Sequence, residues 1–291
     1  REAERDSMME EFGQREGQVV TGHVQRFERG NLFIDLGRAT GILPFEEQIP
    51  GERYRQGERI RALLFKVDEN ARGSFLRLSR SHPRFLVKLF ESEVPELANG
   101  VVEVKAVVRE PGARAKVAVF SNDDHIDPVG ALVGQRGVRV AVVTSELGGE
   151  KIDIVEWSAN PGDFVAEALK PAEILNIVLD ENEGRAIATV AEDQQSLAIG
   201  RGGQNVRLAA RLTNWKIDIR SAGGDKAASA EATEPTSEDM AAIDAGEPEG
   251  RKSVPEMPPG EGDEADLVGQ EMTDNPEAGK ELAEGLKELK K

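Results

Sequence analysis

Two short turns carry the residues best suited to chemistry. Gly134-Gln135-Arg136-Gly137 and Gly200-Arg201-Gly202-Gly203 each set two glycines three apart, between stretches of helical apolar spacing. A Gly-x-x-Gly turn joining two helices exposes the unpaired N–H groups and the positive dipole end of the second helix, which suits a phosphate. Glycine matters because a Cβ would hold a sugar-phosphate chain away. Arg136 and Arg139 accompany the first turn, and Arg201, Arg207 and Arg211 the second, with Gln135 and Asn205 in the same stretches. Arg207 and Arg211 stand four apart on one helical face, interleaved with Leu208 and Leu212 on the other. The chemistry this pattern suggests is recognition of a polyanionic strand, with no bond made or broken.

One such turn would say little in a chain with 30 glycines, because glycine also ends helices and closes hairpins. The weight comes from repetition. Lys151-Ile152-Asp153-Ile154 recurs as Lys216-Ile217-Asp218-Ile219, 65 residues on, and the glycine turn recurs 66 residues on, so one insertion or deletion reconciles the copies. Each copy reads as helix, strand, strand, helix, helix, strand, which predicts a three-stranded sheet with helices on one face. The repeated Ile-x-Ile strands are core, and so mark the repeat rather than a site.

Ahead of the repeat, Val19–Val24, Asn31–Leu36, Arg59–Val67 and Ser74–Leu78 are short strands punctuated by glycine, the rhythm of a small barrel. Residues 15–81 carry 12 bases against 9 acids. Phe27, Phe33 and Phe45 are candidates for stacking on bases, with Arg26, Arg29 and Arg38 beside them, although Phe33 could equally be core. Residues 1–14, with Met8, Met9 and Phe12 among charges, read as the end of an amphipathic helix cut from something upstream, stopped by Gly13 and Gly17.

The net charge of −17 does not exclude nucleic acid, because residues 222–291 hold 19 acids and 7 bases and account for −12 of it. With every aromatic before residue 216, that segment has little to bury and is expected to be disordered, with Leu282, Leu286 and Leu289 at helical spacing near its end. It reads as a solubilising linker or as a competitor for the basic surface. There is no cysteine, hence no thiolate chemistry, and no apolar run near the roughly 20 residues a membrane helix needs. The chain contains no Gly-x-x-x-x-Gly-Lys-Ser/Thr, His-Glu-x-x-His or Gly-x-Ser-x-Gly motif. His23, His82 and His125 are scattered surface or capping residues, and Asn122-Asp123-Asp124 is a turn. A non-enzymatic binding protein without cofactor or metal is expected.

The paired helix-strand-strand-helix-helix-strand units resemble type II KH domains, and the segment before them resembles the S1-type OB-fold module. Ser79-Arg80-Ser81-His82-Pro83 at the junction, Asp127-Pro128-Val129-Gly130, Pro50-Gly51-Glu52-Arg53-Tyr54, and Ser196 to Gly200 followed by Gly203 to Ala209 resemble the NusA family of bacterial transcription elongation, termination and antitermination factors. The resemblance covers about residues 1–220. It implies a multidomain fold: linker helix 1–14, all-β OB-fold barrel 15–81, α+β KH domains 82–158 and 159–221, and disordered acidic tail 222–291. It further implies a cytoplasmic monomer that binds nascent single-stranded RNA here. RNA polymerase would be bound mainly through an N-terminal domain for which this chain has no room, and other elongation or antitermination factors could join. One departure is Pro44, in Gly41-Ile42-Leu43-Pro44-Phe45, where such barrels often place a His. An RNA-capturing module of a ribonuclease and a non-catalytic interaction scaffold are the alternatives.

Overall fold

The computed structural model describes residues 10–70, 73–223 and 226–230. Met8, Met9, most of the acidic tail and the leucine-spaced segment near its end lie outside these.

The first unit is a closed barrel of β1 (Val19–Glu28), β2 (Asn31–Asp35), β3 (Thr40–Leu43), β4 (Arg59–Asn70) and β5 (Gly73–Ser79), in the order β1-β2-β3-β5-β4. Alternation sets its core: Val20, Val24, Leu32, Ile34, Leu43 and Leu64 point inward. Residues 10–13 form a helical turn, and Phe12, 3% exposed, packs into the barrel core.

Next come α1 (Pro83–Glu93), a short α2 (Pro95–Ala98), β6 (Val102–Glu110), β7 (Arg114–Ser121), α3 (Pro128–Val133), α4 (Val138–Glu146) and β8 (Lys151–Glu156). His82 is a buried cap, its Nδ1 accepting from the Arg84 N–H, with Pro83 pre-set for the first helical position. The second copy follows as α5 (Pro161–Ala168), β9 (Ile174–Asp180), β10 (Arg185–Val190), α6 (Gln195–Ile199), α7 (Gln204–Thr213) and β11 (Lys216–Ser221). In both sheets the last strand of the repeat runs parallel to its neighbour, and Arg114–Asp153 in the first copy recurs as Arg185–Asp218 in the second. The one-residue difference between the copies falls between α4 and β8, where Leu147-Gly148-Gly149-Glu150 faces the shorter Thr213-Asn214-Trp215.

Two features differ from the sequence reading. The second sheet has four strands, because β12 (Lys226–Ala230) pairs antiparallel with β11, at residues assigned to the tail. Lys-Ala-Ala-Ser-Ala has no alternation to announce a strand, and backbone pairing with an open edge suffices. The first KH sheet also has helices over both faces. Val117, Val119 and Ile154 face its own helices, while Val108, Ala118 and Val155 on the opposite face join the core of the second KH domain with Phe164, Val165 and Val206. Each valine or phenylalanine side chain fully buried there stabilises the joint by about 1.5 to 3 kcal/mol at most.

Buried arginines lock the other joint. Arg80 donates to both Glu52 oxygens at 2.9 and 2.6 Å, to Glu146 Oε1 at 3.0 Å, and to the Glu146 and Arg61 carbonyls at 2.7 and 2.5 Å. Burial alone would pull this guanidinium down, but its bonds to Glu52 hold it above its ordinary value. Tyr54, which donates to Glu52, is pushed well up, first by burial and then by that carboxylate.

Lys116, fully buried on the face that meets the second KH domain, donates to Asp153 at 3.2 Å and to the Lys170 carbonyl at 2.9 Å. Burial pulls it down to about 8 from 10.5; Asp153 opposes the shift, while Arg114 and Lys151 add to it. Between those values the unfolded chain binds this proton and the folded chain does not, so stability rises with pH there, and below about 8 the full penalty is present. Unfolding curves from pH 7 to 10.5 are expected to show this rise in the wild type and lose it in Lys116→Met. Parallel curves for the two proteins would refute the assignment.

Candidate nucleic-acid interface

The two glycine turns share one backbone. Gly134 and Gly200 have φ, ψ of 73°, 171° and 75°, 172°; Arg136 and Gly202 have 55°, 25° and 58°, 25°; Gly137 and Gly203 have 78°, 16° and 74°, 13°. The third position lies in the left-handed region. Arg136, a residue with a Cβ, occupies it in the first copy at a cost of about 1 to 2 kcal/mol. Glycine at 202 is therefore not demanded by the turn. A Cβ there, or at Gly203, would meet no atom within 4 Å, so both sites are open to close approach from outside.

Both following helices begin without a side-chain cap, on Gly137 and Gly203, whereas α1, α3 and α5 are capped by His82, Asp127 and Asn160. The leading N–H groups of α4 and α7 are thus left for another acceptor. Gln135, Arg136 and Arg201 are exposed, and neither of these guanidinium groups is bonded to another described residue.

Other candidates have different work. Arg139 folds back beside Gly134 and donates to the Ala131 carbonyl at 2.6 Å and to Glu96 at 3.1 Å. Asn205 is fully buried, its amide donating to the carbonyls of Leu169 at 2.9 Å and Ala198 at 3.0 Å. This corrects its place in the contacting set: it occupies the position of Arg139 in the other copy and shapes the turn from inside. Arg207 is engaged by Glu110 of the first KH domain, at 2.9 Å from Nε, and Arg211 is half-buried and also engaged.

On the barrel, Phe33 alternates with buried Leu32 and Ile34 and so faces out, with the Arg26 guanidinium 3.9 Å from its ring centre. It lines a shallow cavity of about 590 Å³ with Gln25, Asp35, Arg38 and Thr40. Arg29 sits at the β1–β2 tip with φ 51°, and beside it Phe27 and Phe45 are 52% and 71% exposed. Pro44 is buried and begins the turn that presents Phe45, so the aromatic stands one residue beyond the departure noted in the sequence. Among the described residues no group of three or more His, Asp or Glu could hold a metal, and no helix is long and apolar enough to cross a membrane.

Sequence reasoning did not find Glu110 or Lys116 as partners of these elements. The Glu110 contacts span 94 and 97 residues, beyond any local signal.

Residues 14–79 match the S1 RNA binding domain family, 80–157 the NusA-like first KH domain, and 161–227 the NusA-like second KH domain. The transcription termination/antitermination protein NusA of Thermus thermophilus is 49% identical over 223 residues, 76% of this chain and 58% of that protein. The NusA proteins of Bacillus subtilis and Rickettsia conorii are 47% and 46% identical over 221 residues, 76% and 75% of this chain, and 60% and 44% of theirs. The chain thus spans about three fifths, or less, of these relatives.

Proposed function

The chain is NusA-like, an S1 barrel leading into two KH domains, and on that premise we propose that it holds single-stranded RNA for a transcription termination/antitermination factor. The observation that carries this reading is the pair of matching, uncapped glycine turns with unengaged arginines, on domains joined by shared cores. Phosphates lie over the turns beside Arg136 and Arg201, with Gln135 in reach, while bases lie against the neighbouring helix and sheet edge. Phe33 under Arg26, with Phe27 and Arg29 at the hairpin tip, continues the strand's path over the barrel, each stacked base contributing about 1 to 3 kcal/mol. Arg139 and Asn205 position the turns. RNA held here emerges from an RNA polymerase, and the factor acts as a cytoplasmic monomer without catalysis of its own.

About five phosphate contacts give a slope near −3.5 in log affinity against log salt, at about 0.7 per contact for single strands. The joint change Arg201→Asp and Gly202→Asp puts two negative charges at the second turn, both on exposed positions. RNA affinity measured by fluorescence anisotropy is expected to fall at least tenfold, about 1.4 kcal/mol, while stability falls only by the roughly 1 kcal/mol that a side chain in the left-handed region at 202 costs. A folded variant that binds RNA like the wild type removes the second turn from this reading, and a flat salt response removes both.

A further inference from the structure

Glu110 ends β6 in the first KH domain, yet its carboxylate lies beside the second glycine turn. Oε1 accepts from Arg207 Nε at 2.9 Å and Nη2 at 2.8 Å, and Oε2 accepts from Gln204 Nε2 at 2.7 Å. Arg207 Nη1 donates to the Gly202 carbonyl at 3.2 Å, so the guanidinium is also tied to the turn. Gln204 opens α7 and Arg207 stands one turn further along. A full negative charge therefore engages the arginine that a phosphate at this turn would use. The first turn has no counterpart: the residues matching Gln204 and Arg207 are Val138 and Ala141, both exposed and without a side-chain donor.

We propose that Glu110 is an intramolecular competitor for RNA at the second KH domain, holding Arg207 until a phosphate displaces its carboxylate. This rests on the RNA-binding reading above. The exchange is feasible because the pair is accessible, with Arg207 46% and Glu110 25% exposed in their side chains. Unlike the fully buried pair that the preceding residue, Arg109, makes with Glu150, it can open without uncovering a charge in the core. Arg114, paired with Glu110 across the β6–β7 hairpin, is bonded to Asp153 and leaves the carboxylate to α7. The two turns are consequently unequal: the first is open, and the second is gated by its neighbour.

The test is Glu110→Gln in the full chain, titrated with a fluorescein-labelled, unstructured single-stranded RNA across a salt series. The expected result is about two- to fivefold tighter binding at low salt, the value of a partly exposed ion pair, and a slope steeper by about 0.7 from one further phosphate contact. A mere latch between the domains would leave affinity unchanged or lower it, without steepening the slope, and that result overturns the proposal. A second measurement needs no variant: the Arg207 Nε–H resonance of the wild type is expected to shift as RNA saturates the protein, and a resonance that stays in place also overturns it. If Arg201→Asp with Gly202→Asp abolishes binding while Glu110→Gln brings no gain, this proposal fails and the RNA-binding reading stands.

Discussion

Replacing Glu150 with alanine is expected to lower the stability of the folded chain by about 3 to 5 kcal/mol, the cost of leaving one member of a buried pair alone. Arg109 and Glu150 are both fully buried, joined through Nε at 2.7 Å and Nη2 at 2.9 Å. Alanine leaves that guanidinium in the core without a counter-charge and takes the acceptor, at 2.8 Å, from the Gly112 N–H. The damage reaches further because Arg109 Nη1 also donates to the carbonyls of Arg80, Ser81 and His82, the stretch that joins barrel to first KH domain. The same variant should therefore loosen this joint as it destabilises. Set against a usual total of about 5 to 15 kcal/mol, the loss should show as a marked fall in the urea midpoint. A midpoint within the equivalent of 1 kcal/mol of the wild type would mean that water or a shifted side chain readily replaces Glu150. Swapping both residues for apolar ones is no rescue, since three carbonyls would lose their donor.

Gly200→Ala is the second large effect, and it should exceed its counterpart Gly134→Ala. Both glycines have a φ near 75° with an extended ψ, a combination reserved for glycine, so alanine at either costs up to about 3 kcal/mol in backbone strain. Their surroundings differ. The added Cβ would lie 2.9 Å from the backbone N and Cβ of Asn205, which cannot move without releasing the carbonyls of Leu169 and Ala198. At Gly134 the three nearest atoms are Cγ, Cβ and Cδ of the Arg139 side chain, at 2.7, 3.0 and 3.0 Å, with no backbone atom among them, so less of the turn has to shift. Gly202→Ala meets nothing within 4 Å and adopts a conformation that Arg136 already tolerates, so about 1 kcal/mol is expected. Thermal melts should rank the losses 200, then 134, then 202. Equal destabilisation at 200 and 202 would contradict this account of the turn.

Much of the architecture was legible along the chain, because it is written in local signals. Helical spacing beside Gly200 and Gly203, period-two alternation in Lys216 to Ile219, and the recurrence of both 65 to 66 residues apart reveal the doubled unit. The glycine rhythm of residues 18–81 reveals a barrel, which closes as expected. The alternation that buries Leu32 and Ile34 also turns Phe33 outward, settling a choice left open by composition alone. Strand β12 escaped notice because it pairs through its backbone, and four small residues after a lysine carry no pattern.

The arginines divide in the same way. Their clustering near the turns is plain in the sequence, but which of them are engaged is not. Arg136 and Arg201 stand in solvent, Arg139 and Asn205 brace the turns, and Arg207 is held by Glu110 from 97 residues away. The linear order by itself determined where the chain turns, what repeats, and where a phosphate could approach, since a turn's conformation depends on a handful of adjacent residues. Only the tertiary structure decided which charges are spent inside the protein, because that depends on the docking of the second KH domain against the far face of the first one's sheet. That docking brings Glu110 to Arg207 and buries Lys116, and it is a contest between surfaces remote in sequence that neighbouring residues do not encode.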